Sequence, residues 1–473
     1  MKYISTRGGD ESLTLAQILT RGTASNGGLF VPQNWPSVDA SERANLLTGE
    51  YAEIAGRLLG LFGADSLPGF DVTSAIAKAM DNFTRPVGPP VNQLDDHLWT
   101  LELMHGPTLA FKDFALAPLA EIIDQTLATQ GSQATVLCAT SGDTGAATVS
   151  AFARRNRLRA VVLFPNGGVS DFQRRQMTTT GAANVLPVCV DGDFDDCQRI
   201  VKALYRTPSA ERYGYTAVNS INMIRILLQT AYYFRSSGLI HSSTGNSANF
   251  IVPTGNFGNI YAAYIARQLG APINRLTVTS NDNDVLPRFF DSGRMSGQTT
   301  VKTISPSMDI QVSSNFERLL WHIKGQNGAA VETAQLELEN SSTYELTDPE
   351  MQLIREDFSA LKCSEADANA AMLHTWKKYG KIICPHTATA MHAALQLESA
   401  SETGNGATNE TVIVETAHPA KFAKAVENAI GVDPEKPSNT EAMLQATEQL
   451  EYCEATADAV QSIIDSRFGP QVN

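Results

Sequence analysis

The chain has 473 residues, 43% of them hydrophobic and 18% charged, with a formal net charge of −14. That length is roughly three domains' worth, enough to bury sizeable cores without covalent staples. The acidic balance argues against a general nucleic-acid or anionic-membrane surface, which needs a basic face, but it leaves room for small phosphates at helix N-termini.

Met1 to Thr20 holds no continuous apolar segment, and no run of about 18 apolar residues occurs anywhere, so neither a secretory signal nor a membrane span is expected. The six cysteines form no C-x-x-C pair and are irregularly spaced. Free, mostly buried thiols in a reducing compartment are expected, and with them a soluble, cytoplasmic protein.

Residues 1 to about 95 read as a mixed, mostly helical region. Helical periodicity runs from Ser12 to Leu19, from Ala40 to Phe62 as one long stretch, and from Thr73 to Met80. Pro86 to Pro90 is a connector. From about residue 98 the rhythm changes. The runs Trp99 to Leu103, Thr135 to Ala139, Ala160 to Phe164, Val185 to Val190, Asn249 to Val252, Leu276 to Thr279 and Thr411 to Glu415 are short and apolar or β-branched. Helical segments lie between several of them, including Phe114 to Ile123, Ala146 to Arg154 and Ile260 to Leu269. This alternation predicts parallel βαβ units in an α/β core. His241 to Ala248, Gly325 to Pro349 (partly helical) and Ser399 to Asn409 read as surface loops from their Ser, Thr, Gly and Asn content. The last forty residues are acidic and helical in pattern.

Five stretches carry chemistry. His105-Gly-Pro-Thr-Leu-Ala-Phe-Lys112-Asp-Phe114 places a lysine after a Gly-Pro turn, between Phe111 and Phe114. Such a lysine is either an amine nucleophile with a lowered pKa or a surface residue capping a loop. Thr140-Ser-Gly-Asp-Thr-Gly145 joins a predicted strand to a helix. It is a seat for a carboxylate or phosphate, or a capping loop. Pro253-Thr-Gly-Asn-Phe-Gly-Asn259 opens the helix after the run ending at Val252. Two glycines and two asparagines suit a phosphate cradle, with a plain turn as the alternative; the loop is neither a Walker motif nor G-x-G-x-x-G. Thr416 ends the run Thr411 to Glu415, where a hydroxyl can reach a ligand at a strand's carboxyl end. Asn222 and Arg225 share a helix face and suit a second phosphate, although alone a surface ion pair is the simpler reading. His418, and the pair His386 and His392 six residues apart, read as structural histidines. No H-E-x-x-H, paired C-x-x-C or G-x-S-x-G is present, and no metal site is expected.

A lysine, a Ser/Gly/Thr loop, a Gly/Asn phosphate loop and a late hydroxyl, in that order, resemble the pyridoxal 5'-phosphate enzymes of the tryptophan synthase β-type, fold type II. The strings His105 to Phe114, Thr140 to Ala146, Gly255 to Asn259, Pro306 to Leu319, Thr416 to Phe422 and Gly28 to Pro32 are similar to the threonine synthase family in its longer enterobacterial and fungal form. The resemblance spans residues 1 to about 432. It implies two open α/β subdomains with parallel sheets plus an N-terminal mainly helical domain. The expected divisions are 1–97 for that domain, 98–433 for the catalytic core (its smaller subdomain roughly 130–240) and 434–473 for a C-terminal helical tail.

The resemblance also implies roles. Lys112 would bind the cofactor as a Schiff base and shuttle protons. Gly255, Asn256, Phe257, Gly258 and Asn259 would hold the cofactor phosphate, and Thr416 the pyridine nitrogen. Asp143 would lie near the ring oxygen. Ser141, Gly142 and Thr144 would bind the substrate carboxylate, and Asn222 and Arg225 its phosphate. The implied activity is a lyase of threonine biosynthesis that turns O-phospho-L-homoserine and water into L-threonine and phosphate. No nucleic-acid or membrane partner is expected, and the chain would be a monomer or homodimer. The rival activities are another enzyme of this fold, such as a serine or threonine dehydratase, and a cofactor-binding but inactive homologue.

Overall fold

The computed structural model describes residues 1–401 and 409–469, so most of the expected loop Ser399 to Asn409 lies outside the described residues. The chain opens with a small antiparallel sheet of Tyr3–Ser5, Ser12–Leu13 and Phe30–Pro32. Three helices follow: Ala40–Thr48, Tyr51–Leu61 and Val72–Met80. The long helix expected from Ala40 to Phe62 is thus two. Gly49 closes the first with its N–H on the Asn45 carbonyl, and Glu50 opens the second through a capping box with Glu53. Local capping overrides a hydrophobic period that runs through the break.

The core begins with β1 (Val91–Asp95) and β2 (Leu98–Glu102), then α1 (Asp113–Gln130), β3 (Ala134–Ala139) and α2 (Asp143–Phe152). Next come β4 (Leu158–Pro165), α3 (Asp171–Thr178), β5 (Val185–Asp191), β6 (Tyr215–Thr216) and α4 (Met223–Thr244). The second half holds β7 (Ala248–Pro253), α5 (Gly258–Gln268), β8 (Ile273–Ser280), α6 (Phe316–Ile323) and β9 (Phe358–Lys362). It ends with α7 (Pro385–Ser401), β10 (Glu410–Glu415) and β11 (Glu451–Glu454).

Among the described residues these strands make two main sheets. The larger has the order β9-β8-β7-β10-β2-β1, parallel except for the antiparallel edge β1. The smaller has the order β11-β5-β4-β3-β6 and is parallel throughout. Central strands such as β7 are buried along nearly their whole length, which is why their sequences read as continuous apolar runs. Two elements cross the expected domain limits. β1 joins the large sheet from within residues 1–97, and β11 carries residues of the expected helical tail into the small sheet.

The first half of the expected loop His241 to Ala248, residues 241–244, is the last turn of α4. Its Ser243 and Thr244 hydroxyls donate back to the carbonyls of Leu239 and Ile240, so polar composition does not end the helix until Gly245. Gly325 to Pro349 is largely the helix Gly328–Ser341 and the strand Thr343–Glu345. Apart from its last turns α4 is almost wholly buried, and it packs on the helix Tyr51–Leu61, on α1 and on α5. Tyr51 ties that N-terminal helix to the core. Its hydroxyl donates to the carbonyls of Phe114 (2.5 Å) and Leu228 (3.1 Å). No helix among the described residues is long and apolar enough to cross a membrane.

Candidate active site

The parallel strands deliver their carboxyl ends to one place. β2 leads into the loop that carries Lys112, β3 into Thr140–Asp143, β7 into Thr254–Asn259 and β10 into Thr416. Lys112 sits at the start of α1. Its loop is zipped to the segment after β10: the Phe111 N–H donates to the Thr416 carbonyl (2.9 Å), and the His418 N–H to the Leu109 carbonyl (3.0 Å). Asp113 points back into the same loop and accepts from the Thr108 hydroxyl (2.6 Å) and the Thr108 N–H (2.8 Å). Burial pushes its carboxyl up to about 6 against the pull of Thr108 and Lys421.

The Lys112 ammonium lies 4.6 Å from the centre of the Phe111 ring and 3.4 Å from Asp143 Oδ2. Burial lowers its pKa, and the nearby charges of Lys421 and Arg225 lower it further while Asp143 opposes them. Asp143 is the hub of the site. Its carboxylate also meets Lys421 Nζ (2.9 Å), Gln173 Nε2 (2.9 Å) and the Ser307 hydroxyl (3.3 Å). Burial alone would raise its pKa, but Lys421 and then Lys112 outweigh that and hold it below the usual carboxylate range. His386 stands on the far side of Ser307, with its Nε2 accepting the Ser307 N–H (3.2 Å). Burial pushes His386 down to about 4, so it is neutral.

The Thr140 hydroxyl shapes the first loop by accepting from the N–H groups of Gly142 (3.0 Å) and Gly145 (2.8 Å). The N–H groups of Ser141, Asp143 and Thr144 have no acceptor among the described residues. Gly142 has φ +133°, and a Cβ there would lie 2.4 Å from the Gln173 amide, so only glycine fits.

The second loop is held from outside. The Ser313 hydroxyl donates to the Gly255 carbonyl (2.7 Å), and the Asn315 N–H (3.1 Å) and side-chain amide (2.9 Å) donate to the Asn256 carbonyl. Phe257 takes the left-handed conformation, φ +62°, which costs about 1–2 kcal/mol in a non-glycine residue. Its ring is buried edge-on against Phe316 at 5.3 Å, a packing that offsets the cost. With the carbonyls of Gly255 and Asn256 tied back, the N–H groups of Gly255 through Asn259 find no acceptor among the described residues. Asn259 is anchored through Oδ1 by the hydroxyls of Tyr232 (2.5 Å) and Tyr233 (2.9 Å), and its buried Nδ2 has no partner.

Asn222 and Arg225 do lie together at the start of α4, but both are engaged within the protein. Asn222 Oδ1 caps the Ile224 N–H (3.0 Å) and its Nδ2 donates to the Leu19 carbonyl (3.0 Å). Arg225 Nη1 donates to the Val218 carbonyl (2.8 Å), while its buried Nε has no partner. Sequence reasoning assigned no role to Lys421, Gln173, Ser307 or Ser313 to Asn315. Lys421 and residues 307 and 313–315 stood inside family-like strings, which was the available signal; Gln173 had none.

A family profile described as pyridoxal-phosphate dependent enzyme matches residues 89–338. The threonine synthase N terminus matches residues 2–80, and the threonine synthase C-terminal profile residues 387–464. The chain is 38% identical to the threonine synthase of Pseudomonas aeruginosa over 451 residues, 95% of each chain.

The chain belongs to the threonine synthase family.

Two solved threonine synthases agree with it over nearly their full length. The pyridoxal-phosphate-bound enzyme of Brucella melitensis is 37% identical, with a TM-score of 0.92 over 99% of both chains. The yeast enzyme is 31% identical, also with a TM-score of 0.92, over 98% of both. The cofactor of this threonine synthase family member is pyridoxal 5'-phosphate, and the residues present fit it. Five N–H groups without an acceptor among the described residues lie at the start of α5, where the helix dipole favours a phosphate. A Cβ at Gly255 would approach the Ser307 carbonyl to 3.0 Å, so the loop is shaped around a bare backbone. The orphaned Asn259 Nδ2 supplies a further donor.

Proposed function

We propose that the chain converts O-phospho-L-homoserine and water into L-threonine and phosphate, acting in the cytoplasm as a monomer or homodimer. The observation that carries this reading is a largely buried lysine amine, Lys112, beside Asp143 in a loop whose N–H groups have no acceptor among the described residues, with Ser307 linking Asp143 to the second such loop at Gly255. When bound, pyridoxal phosphate supplies a conjugated electron sink that acidifies the substrate's Cα.

The chain's residues do the rest. Gly255 to Asn259 hold the cofactor phosphate through N–H donors. Lys112 anchors the cofactor, and its amine takes protons from Cα and then Cβ, because one mobile side chain reaches both carbons. The N–H groups of Ser141 and Thr144, with their hydroxyls, hold the substrate carboxylate beside Gly142. Asp143, 3.4 Å from the Lys112 amine, lies near the cofactor's ring oxygen. Thr416 offers the ring nitrogen a neutral hydroxyl, which delivers no full charge and disfavours transamination. Arg225 faces the substrate phosphate with its unpartnered Nε, and Asn222 sets the start of α4 on which Arg225 stands. Phosphate leaves from Cγ, the Lys112 ammonium returns a proton to Cγ, water adds at Cβ, and Cα regains its proton. Residues 1–97 brace this arrangement: the Leu19 carbonyl holds Asn222, and the Phe30 carbonyl accepts from Arg318 Nε (3.0 Å).

The test is turnover. Inorganic phosphate should appear from O-phospho-L-homoserine in step with L-threonine. Conversion of serine or threonine to oxo acids, with no phosphate release, would replace this reading with that of a dehydratase.

A further inference from the structure

Two lysines share one buried carboxylate, and their surroundings differ. Lys421 is fully enclosed, 0% exposed, with Nζ 2.9 Å from Asp143 Oδ1 and 2.6 Å from the Thr108 carbonyl. Among the described residues Lys112 Nζ makes one polar contact, at 3.4 Å, to the other oxygen of Asp143. A buried ammonium is stable only when paired and hydrogen-bonded. By that measure Lys421 is the fixed cation and Lys112 the labile one.

We propose that Lys421 is a positioning residue: it keeps Asp143 ionised and occupied whatever the state of Lys112, so that Lys112 can release and recover its proton inside a closed site. This rests on the assignment of Lys112 as the lysine that anchors the cofactor. Without Lys421, Asp143 would have Lys112 as its only nearby cation and would hold that ammonium charged. Lys421 also joins the loop after β10 to the Lys112 loop through the Thr108 carbonyl, which Gln176 Nε2 contacts as well at 2.9 Å. The other charged or titratable groups around the cluster are Asp113, Arg225, His386 and His418. Arg225 repels a proton on Lys112 in the same sense as Lys421, but it makes no hydrogen bond to Asp143. Burial keeps His386 and His418 neutral, and Asp113 is closed off by Thr108.

The sign follows from the geometry. The two ammonium nitrogens sit on opposite oxygens of one carboxylate, so each destabilises a proton on the other. Removing the charge of Lys421 should move the pH at which Lys112 becomes a free amine upward by about one to two units, a roughly tenfold to hundredfold loss of free amine at pH 7.

The experiment strips the full-length chain of pyridoxal phosphate and reloads it at a series of pH values. The rate at which the visible chromophore forms is recorded, borohydride then fixes the pyridoxyl group, and the labelled peptide is identified. Lys421→Met removes charge and hydrogen bond. Lys421→Gln keeps a donor for Thr108 and guards against a Met variant that does not fold. Lys421→Arg keeps both. The expected result is label on Lys112 in every chain, a rate midpoint shifted up in the Met and Gln variants, and an Arg variant close to wild type. Label on Lys112 with unchanged midpoints in Met and Gln, whatever their melting temperatures, would overturn the proposal by reducing Lys421 to a structural tie. An Arg variant shifted as far as Met would overturn it too. A wild type that carries no label on Lys112 would remove the assignment beneath it.

Discussion

Gly255→Ala tests whether the loop after β7 is shaped for the cofactor phosphate. The added Cβ would stand 3.0 Å from the Ser307 carbonyl oxygen, 3.0 Å from Ile310 Cγ1 and 3.4 Å from Met308 Cα. Two of those three atoms are backbone in the turn Pro306–Met308, and the Ser307 hydroxyl in that turn holds Asp143. The turn cannot yield without moving the Asp143 contact, so the loop must yield instead. Overpacking of this kind costs about 1–3 kcal/mol. The loop can relax in the free chain but must be in place around a bound phosphate, so the cost falls on binding. That corresponds to a roughly fivefold to hundredfold rise in the dissociation constant. Spectrophotometric titration of the stripped chain with pyridoxal phosphate reads it directly. Binding within twofold of wild type, by a variant with unchanged circular dichroism, would refute the claim that close backbone approach at Gly255 shapes the cradle.

The matching control is Gly60→Ala. Gly60 lies on the exposed side of the helix Tyr51–Leu61, and a Cβ there meets nothing within 4 Å. It should raise the unfolding free energy by about 0.5–1 kcal/mol in urea titration, with cofactor affinity unchanged. Arg318→Leu should lower stability by roughly 3 kcal/mol, seen as a lower urea midpoint, because the carbonyls of Phe30 and Ile221 and the Asn315 side chain all lose a buried donor. Glu102 and Glu415 sit side by side in the β2–β10 register and share Lys381. Burial, with Glu102 adding to it, lifts Glu415 to about 7 despite Lys381, so the folded protein holds that proton more tightly than the unfolded chain. Its contribution is therefore fully present below the unfolded carboxylate range and is lost as pH rises through about 7. Glu415→Gln should flatten the fall in urea midpoint between pH 5 and pH 8; an equally steep fall in wild type and variant would contradict this.

The sheets were legible because parallel strands buried on both faces leave short continuous apolar runs, as in Val185 to Val190 and Asn249 to Val252. β11 was not, since Glu451-Tyr-Cys-Glu454 is a short polar edge strand whose partner lies more than 250 residues earlier. Serine- and threonine-rich composition misled at His241 to Ala248, where hydroxyls bond back along the helix. Each site loop carried its own signal in glycine, asparagine or lysine content. What joins the loops carried none that could be read alone. Ser307 meets Asp143 across 164 residues and Lys421 meets Thr108 across 313. Ser307 and Lys421 gain their meaning only when the fold brings distant segments together. Helical spacing puts Asn222 and Arg225 on one face, but it cannot show that the Asn222 side-chain oxygen caps the Ile224 N–H at the start of α4.

The most direct measurement of the central claim runs wild type and Lys112→Ala in parallel for phosphate release from O-phospho-L-homoserine. Wild type should give phosphate and L-threonine in equal amounts, with a borohydride-fixed pyridoxyl group on Lys112, and the variant should lose both products. Phosphate release that persists in Lys112→Ala would contradict it.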